Sequence, residues 1–165
     1  MDGDATSDRD PHRPWARYFA YGSNMNPDRV RERGLAVVSA EGAVLRGFRL
    51  TFDKHAAAHV GSGHASVARS PEDLVEGVLY LLRGPEEIAK MDRFEHAPVN
   101  YSREVAFVET ASGVLATWTY FANPAVLRPG LRPPRSYLAH LLAGQPFLSA
   151  GYHARLAAWP CVEDR

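Results

Sequence analysis

The stretch that decides the fold reads Tyr18-Phe19-Ala20-Tyr21-Gly22-Ser23-Asn24-Met25, followed at once by Asn26-Pro27. A short β-like run of aromatic and apolar side chains stops on Gly22-Ser23-Asn24, and Asn26-Pro27 reads as the start of a helix. A strand that ends in small residues at a helix N-terminus gathers backbone N–H groups without partners. Such groups can hold an anion or a polarised carbonyl. Gly-Ser-Asn is equally ordinary turn chemistry, because Gly permits positive φ while Ser and Asn bond back to their own backbone. The rest of the chain has to decide between a plain turn and a site.

Outward from this stretch, strand-like and helix-like segments alternate without a repeat. Residues 17–21 read as a strand. Residues 26–33 read as a short helix with Asn26 as N-cap, Pro27 in the first turn and Gly34 as the stop. At least one strand lies within 35–52, with bends or bulges expected at Gly42 and Gly47. The Gly-, Ala- and His-rich residues 55–66 read as a loop. Residues 74–82 are almost continuously apolar and predict a central strand. Residues 85–95 read as a helix opened by Pro85. Residues 101–110 and 114–122 flank Ala111-Ser112-Gly113, a strong hairpin signal. Pro124, Pro129, Pro133 and Pro134 make 123–134 an ordered connector, and 136–143 and 152–159 read as two short closing helices. The hairpin requires antiparallel pairing. An α+β fold built on a mixed sheet or small closed barrel follows.

Composition narrows the class. A chain of 165 residues with 45% hydrophobic and 23% charged residues is one ordinary globular domain. Its formal net charge of zero makes no electrostatic case for nucleic acid or an anionic membrane as partner. Residues 1–14 carry Asp2, Asp4, Asp8 and Asp10 without an apolar run, which predicts a disordered tail ahead of a domain spanning 15–165. No basic start followed by a hydrophobic stretch and no apolar run of membrane length occurs, so a cytoplasmic location is expected. Cys161 is the only cysteine. It excludes an internal disulfide and a thiolate cluster, and its neighbours Pro160, Val162, Glu163 and Asp164 offer no cationic activation.

A second site signal lies in the 85–95 helix. Ile88, Met91 and Phe94 recur at helical spacing and define an inward stripe. Glu95 follows Ile88 at i+7 and Met91 at i+4, so it falls on the same stripe. A carboxylate there is costly unless paired or protonated, and desolvation raises its pKa toward about 6–7, suited to general acid–base work. A helix-terminal Glu that reaches solvent or meets an Arg is the plainer alternative. Glu76 shares a strand face with Leu74, Val78 and Tyr80 and reads as half of a buried ion pair with an Arg. His55, His59 and His64 have metal-like spacing. However, Ala56 stands where a zinc-hydrolase helix places its Glu, and Gly61 and Gly63 break the helix, so they read as loop histidines. Ser23 lacks the flanking glycines of a hydrolase elbow, and no phosphate loop or dinucleotide fingerprint occurs. No metal or cofactor is expected.

Together these residues resemble the gamma-glutamylcyclotransferase-like (AIG2-like) superfamily. The resemblance runs from Tyr18–Met25 through Gly63-His64-Ala65-Ser66-Val67-Ala68, Ser70-Pro71 and Gly77-Val78-Leu79-Tyr80. It continues to Met91-Asp92-Arg93-Phe94-Glu95, Tyr101–Val105, Tyr120 and Ser136-Tyr137. Two departures stand beside the family's essential Glu: His96 where Gly is usual, and a spacing from Glu95 to Tyr101 one residue shorter than in the vertebrate enzymes. The resemblance implies a small mixed β-barrel with flanking short helices. It also implies a metal-free conversion of a γ-glutamyl amine or γ-glutamyl amino acid into 5-oxoproline and free amine. It makes Glu95 the acid/base and gives the glutamyl group to backbone N–H groups of Gly22, Ser23, Asn24 and Met25, with Tyr21, Tyr101 and Tyr137 as pocket walls and donors. A non-catalytic carboxylate-binding protein and an amide hydrolase of the same fold stay open as alternatives. The partner expected is a small γ-glutamyl substrate, with monomer and homodimer both open, and the roles of His55, His59, His64 and His96 are unassigned.

Overall fold

The computed structural model describes residues 10–164. Strands β1 (Arg17–Ala20), β2 (Val37–His55), β3 (Gly63–Leu82), β4 (Tyr101–Thr110) and β5 (Gly113–Ala122) close into a barrel in the order β1-β3-β2-β4-β5. All neighbours pair antiparallel except β1 and β5, which meet in parallel at Tyr18 and Trp118 and seal the barrel. Helices α1 (Pro27–Glu32), α2 (Ile88–Phe94), α3 (Arg135–Leu142) and α4 (Ala150–Ala157) flank it. The expected α+β class and small mixed barrel are what the chain adopts.

β3 lies between β1 and β2 and is covered on both faces, which explains its nearly unbroken apolar sequence. Val75, Val78, Leu79, Tyr80 and Leu82 are all buried there. The strand starts at Gly63, so the expected loop over 55–66 shrinks to the hairpin tip, and residues 63–66 belong to the ladder with β2. That shift places His64 and Ala65 on a rigid wall. The connector over 123–134 is tied across the same tip. Arg128 N–H donates to the Asp53 carbonyl at 2.7 Å, Gly63 N–H donates to the Arg132 carbonyl at 2.9 Å, and Leu127 bridges to Lys54.

Three further expectations are corrected. Glu76 pairs with no Arg among the described residues: its carboxylate accepts from the Ser149 N–H and hydroxyl, both at 2.7 Å, while the Ser149 hydroxyl caps α4 by accepting from Tyr152 N–H. A carboxylate beside a helix N-terminus is well placed electrostatically. Residues 1–9 of the expected tail lie outside the described residues, whereas residues 10–14 pack on the barrel. There the Pro11 carbonyl accepts from Ala116 N–H at 2.7 Å, and Arg17 donates to the carbonyls of Asp10 and Arg13.

The third correction concerns glycine. Gly47, at φ +81°, sits where the β2–β3 register shifts between Arg46 and Phe48, as a bulge requires. Gly42 makes no bend; it lies in regular register opposite Val78. A Cβ there would stand 2.5 Å from the Phe147 carbonyl oxygen, so the glycine lets the Gln145–Phe147 turn close onto the barrel. Gly42→Ala must push that backbone away, and a loss of about 1–3 kcal/mol is expected, read as a lowered urea midpoint.

Candidate active site

Glu95 is positioned by the way α2 ends. Ile88 and Met91 are buried, as their spacing predicts, but Phe94 is 45% exposed and lies under the Arg33 guanidinium, 4.9 Å from ring centroid to Cζ. Glu95 is the C-cap. After it, His96 N–H donates to the Arg93 carbonyl at 3.3 Å and Ala97 N–H to the Asp92 carbonyl at 2.9 Å. This is a Schellman closure, which needs a left-handed residue just past the cap. α1 closes the same way, with Gly34 at φ +81° in that position. In α2 the position is filled by His96 at φ +51°. Glycine would meet that need without strain, and His96 occupies the conformation at a cost of about 1–2 kcal/mol. The closure turns the Glu95 side chain inward, leaving it 18% exposed.

Across the cavity, residues Ser23–Met25 form a single 3₁₀ turn. Met25 N–H donates to the Gly22 carbonyl at 3.0 Å and Met25 is buried in the core, so it neither offers a free donor nor lines the cavity. This corrects the expectation that Met25 helps to hold substrate. The N–H groups of Gly22 and Asn24 have no hydrogen-bond partner among the described residues. Ser23 Oγ accepts from Arg29 Nε at 3.2 Å.

The larger correction concerns Asn24, whose side chain matters as much as its backbone. Arg33 Nη1 donates to Asn24 Oδ1 at 2.9 Å, which fixes the amide orientation because Arg is a donor only. Asn24 Nδ2 therefore points the other way, donating to Glu95 Oε1 at 3.0 Å and to the Tyr18 hydroxyl at 2.9 Å. The Asn24 carbonyl accepts from the Tyr80 hydroxyl at 2.6 Å. Glu95 is thus gripped by one oxygen. Its Oε2 has no hydrogen-bond partner among the described residues.

The three tyrosines differ in what they can give. Tyr21 donates its proton to the Tyr120 carbonyl at 2.5 Å, and Tyr101 donates to the Ala65 carbonyl at 2.8 Å. Both brace backbone and are walls rather than free donors, contrary to expectation. Tyr137 instead accepts from Ala65 N–H at 3.0 Å beside Ser23, and its ring stacks on His64 with centroids 4.2 Å apart. Burial pushes the Tyr137 phenol up to about 12, so it stays protonated near neutrality. His64 is driven down to about 4 by burial, with Lys54 and Arg29 adding repulsion, and is neutral there too. Among the described residues no group of three His, Cys, Asp or Glu side chains gathers in metal-binding geometry.

These groups enclose a cavity of about 310 Å³. Tyr21, Gly22, Ser23, Asn24, Glu95, Tyr101 and Tyr137, all expected from the sequence, line it together. Arg29, Arg33 and Lys54 line it too, and Glu95 is its only carboxylate among the described residues. Burial raises the Glu95 pKa, opposed by Arg33, the Asn24 hydrogen bond, Arg29 and Lys54; burial prevails. These cations were not among the residues expected to form the site. Arg29 and Arg33 stand at i and i+4 on α1, a spacing that would have placed both on one face.

Such a cavity, with one proton-binding carboxylate opposite unpartnered N–H groups and several cations, suits transfer of a proton within a bound carboxylate-bearing substrate. The fold recurs among solved structures. A human protein described as uncharacterized protein loc79017 aligns with a TM-score of 0.78 at 23% identity, over 93% of this chain and 92% of that one. A gamma-glutamyl cyclotransferase aligns at 0.77 and 23% identity, over 90% and 89% of the two chains. YkqA from Bacillus subtilis aligns at 0.77 and 20% identity, over 91% of this chain but 57% of that one. At these identities the likeness establishes the fold alone. No curated protein matches the chain in sequence. The family model described as gamma-glutamyl cyclotransferase, AIG2-like, matches residues 18–140, from β1 to the middle of α3 and so across the whole barrel and the cavity: the chain belongs to that family.

Proposed function

We propose that this protein is a γ-glutamyl cyclotransferase, releasing 5-oxoproline and a free amine from a γ-glutamyl amine or amino acid. The observation that carries the reading is the state of Glu95: one oxygen held by Asn24, the other open to the cavity, and a proton affinity raised by burial. The nucleophile belongs to the substrate. Its α-nitrogen arrives as ammonium and gives a proton to Glu95 Oε2, and the freed lone pair attacks the γ-carbonyl carbon. In the five-membered tetrahedral adduct Glu95 hands this first proton to the departing nitrogen, and the old C–N bond breaks as the carbonyl re-forms. The ionised Glu95 then takes the second proton from the ring nitrogen and passes it to the freed amine, which leaves as ammonium. No water is consumed and no acyl-enzyme forms.

The reaction asks little else of the protein. Both reacting groups sit in one molecule, and well-oriented intramolecular reactions reach effective molarities of about 10⁵–10⁸ M. The open N–H groups of Gly22 and Asn24 are the donors for a developing oxyanion, where one donor is worth roughly 3 kcal/mol. The cations of α1, Arg29 and Arg33, favour the glutamyl carboxylate beside the Ser23–Asn24 turn.

Glu95→Gln keeps the shape and the Asn24 contact but cannot carry the proton. Release of 5-oxoproline from γ-glutamyl compounds should fall about 10²–10⁴-fold in that variant, followed by mass analysis of product. Wild-type turnover in the variant would remove Glu95 from the mechanism, and free glutamate as product would identify hydrolysis instead.

The same residue makes a stability prediction. A carboxyl whose pKa is raised by folding binds its proton more tightly folded than unfolded, so it costs stability as pH rises through and above the ordinary carboxylate range. Glu95→Gln removes that cost. Its melting temperature should match the wild type in acid and exceed it increasingly toward neutral pH; a gap that narrows with rising pH would show that Arg33 outweighs burial.

A further inference from the structure

The cations of the cavity are not equivalent. Arg29 is engaged by Ser23 Oγ at 3.2 Å and lies 3.4 Å from His140 Nε2. Arg33 is held by Asn24 Oδ1 and stands 3.7 Å from Glu95 Oε1. Both belong to the α1 side, beside the turn. Lys54 comes from the opposite wall, at the end of β2, and its ammonium has no hydrogen bond or ion pair among the described residues.

Its position is nevertheless built. The Lys54 backbone is paired with His64 on one side and bridged to Leu127 on the other, so the side chain leaves a fixed point. Half-burial lowers its pKa, and the charge of Glu95 opposes this. Ala57, exposed and lining the same cavity, places this wall at the opening to solvent. A half-buried ammonium aimed into a cavity is costly without an anion.

Charge then discriminates between substrates. With Glu95 ionised, Arg29, Arg33 and Lys54 leave an excess of two positive charges. The glutamyl part brings one carboxylate and one ammonium, which sum to zero and leave that excess standing. A leaving group that carries a carboxylate reduces it, and one that carries a cation raises it. We infer that Lys54 is a specificity-determining residue that binds a carboxylate on the leaving group, so that the substrate class is γ-glutamyl amino acids with a free carboxylate next to the scissile amide, rather than γ-glutamyl derivatives of cationic amines. This rests on the cyclotransferase reading above.

The test compares γ-glutamylalanine with its C-terminal amide, which differ only in that carboxylate. In the wild type kcat/KM should favour the acid by about tenfold or more, mostly through KM, as a charge-assisted hydrogen bond implies. In Lys54→Gln the ratio should fall toward one, and Lys54→Arg should keep it; circular dichroism checks that both variants fold. A wild-type ratio near one, a ratio unaltered in Lys54→Gln, or an equal loss for both compounds overturns the inference, the last because Lys54 would then serve the glutamyl carboxylate. If neither compound yields 5-oxoproline, the cyclotransferase reading fails. Calorimetric binding of the same pair to the wild type and Lys54→Gln, judged by the same ratios, then decides the role of Lys54 by itself.

Discussion

The amide of Asn24 is the contact on which the site depends. It sits at the first turn after β1, yet it reaches Arg33 at the end of α1 and Glu95 at the end of α2. Because guanidinium donates and carboxylate accepts, an amide between them can satisfy both only in one orientation. The cavity therefore holds Arg33 and Glu95 at 3.7 Å without a direct bidentate ion pair. A full pairing would hold the carboxylate ionised and spend both its oxygens. The relay through Asn24 steadies one oxygen and leaves the other for chemistry. Tyr80 anchors the arrangement from the barrel by donating to the Asn24 carbonyl, which ties the turn to the central strand.

Helix ends supply the rest of the placement. Both α1 and α2 finish in Schellman closures, and each delivers a charged C-cap, Arg33 and Glu95, toward the same amide. The residue after each cap must be left-handed. Gly34 meets that need freely and His96 meets it under strain. The shared backbone device explains how two helices of six and seven residues can aim side chains accurately.

Much of this was legible in the chain. Residues 74–82 read as a central strand because burial on two faces leaves little room for polar alternation. Ala111-Ser112-Gly113 announces the β4–β5 hairpin, and the spacing of Ile88, Met91 and Glu95 places the carboxylate on the inner side. What escaped were interactions that join distant segments. Nothing local to Glu76 indicates Ser149, and nothing local to Asn24 says that its side chain, rather than its backbone, meets Glu95. Tyr21 and Tyr101 looked like ligand donors because an exposed-looking phenol cannot be told from one spent on a carbonyl until the fold supplies the carbonyl. Phe94 followed the apolar spacing yet lies outside, covered by Arg33, since a guanidinium over a ring face replaces core burial. The strand start at Gly63 was hidden by small residues that read as loop but here let the connector approach the β2–β3 tip.

At the centre of this account is a carboxyl that burial holds toward its protonated form while a single amide holds it in place. The direct measurement is a carbon-13 NMR titration of the Glu95 side-chain carboxyl, assigned by its loss in Glu95→Gln. A midpoint above the ordinary glutamate range is predicted. A midpoint at or below that range would mean that Arg33 and its neighbouring cations hold Glu95 as a structural anion, and the account of the site as a proton-transfer centre would fail.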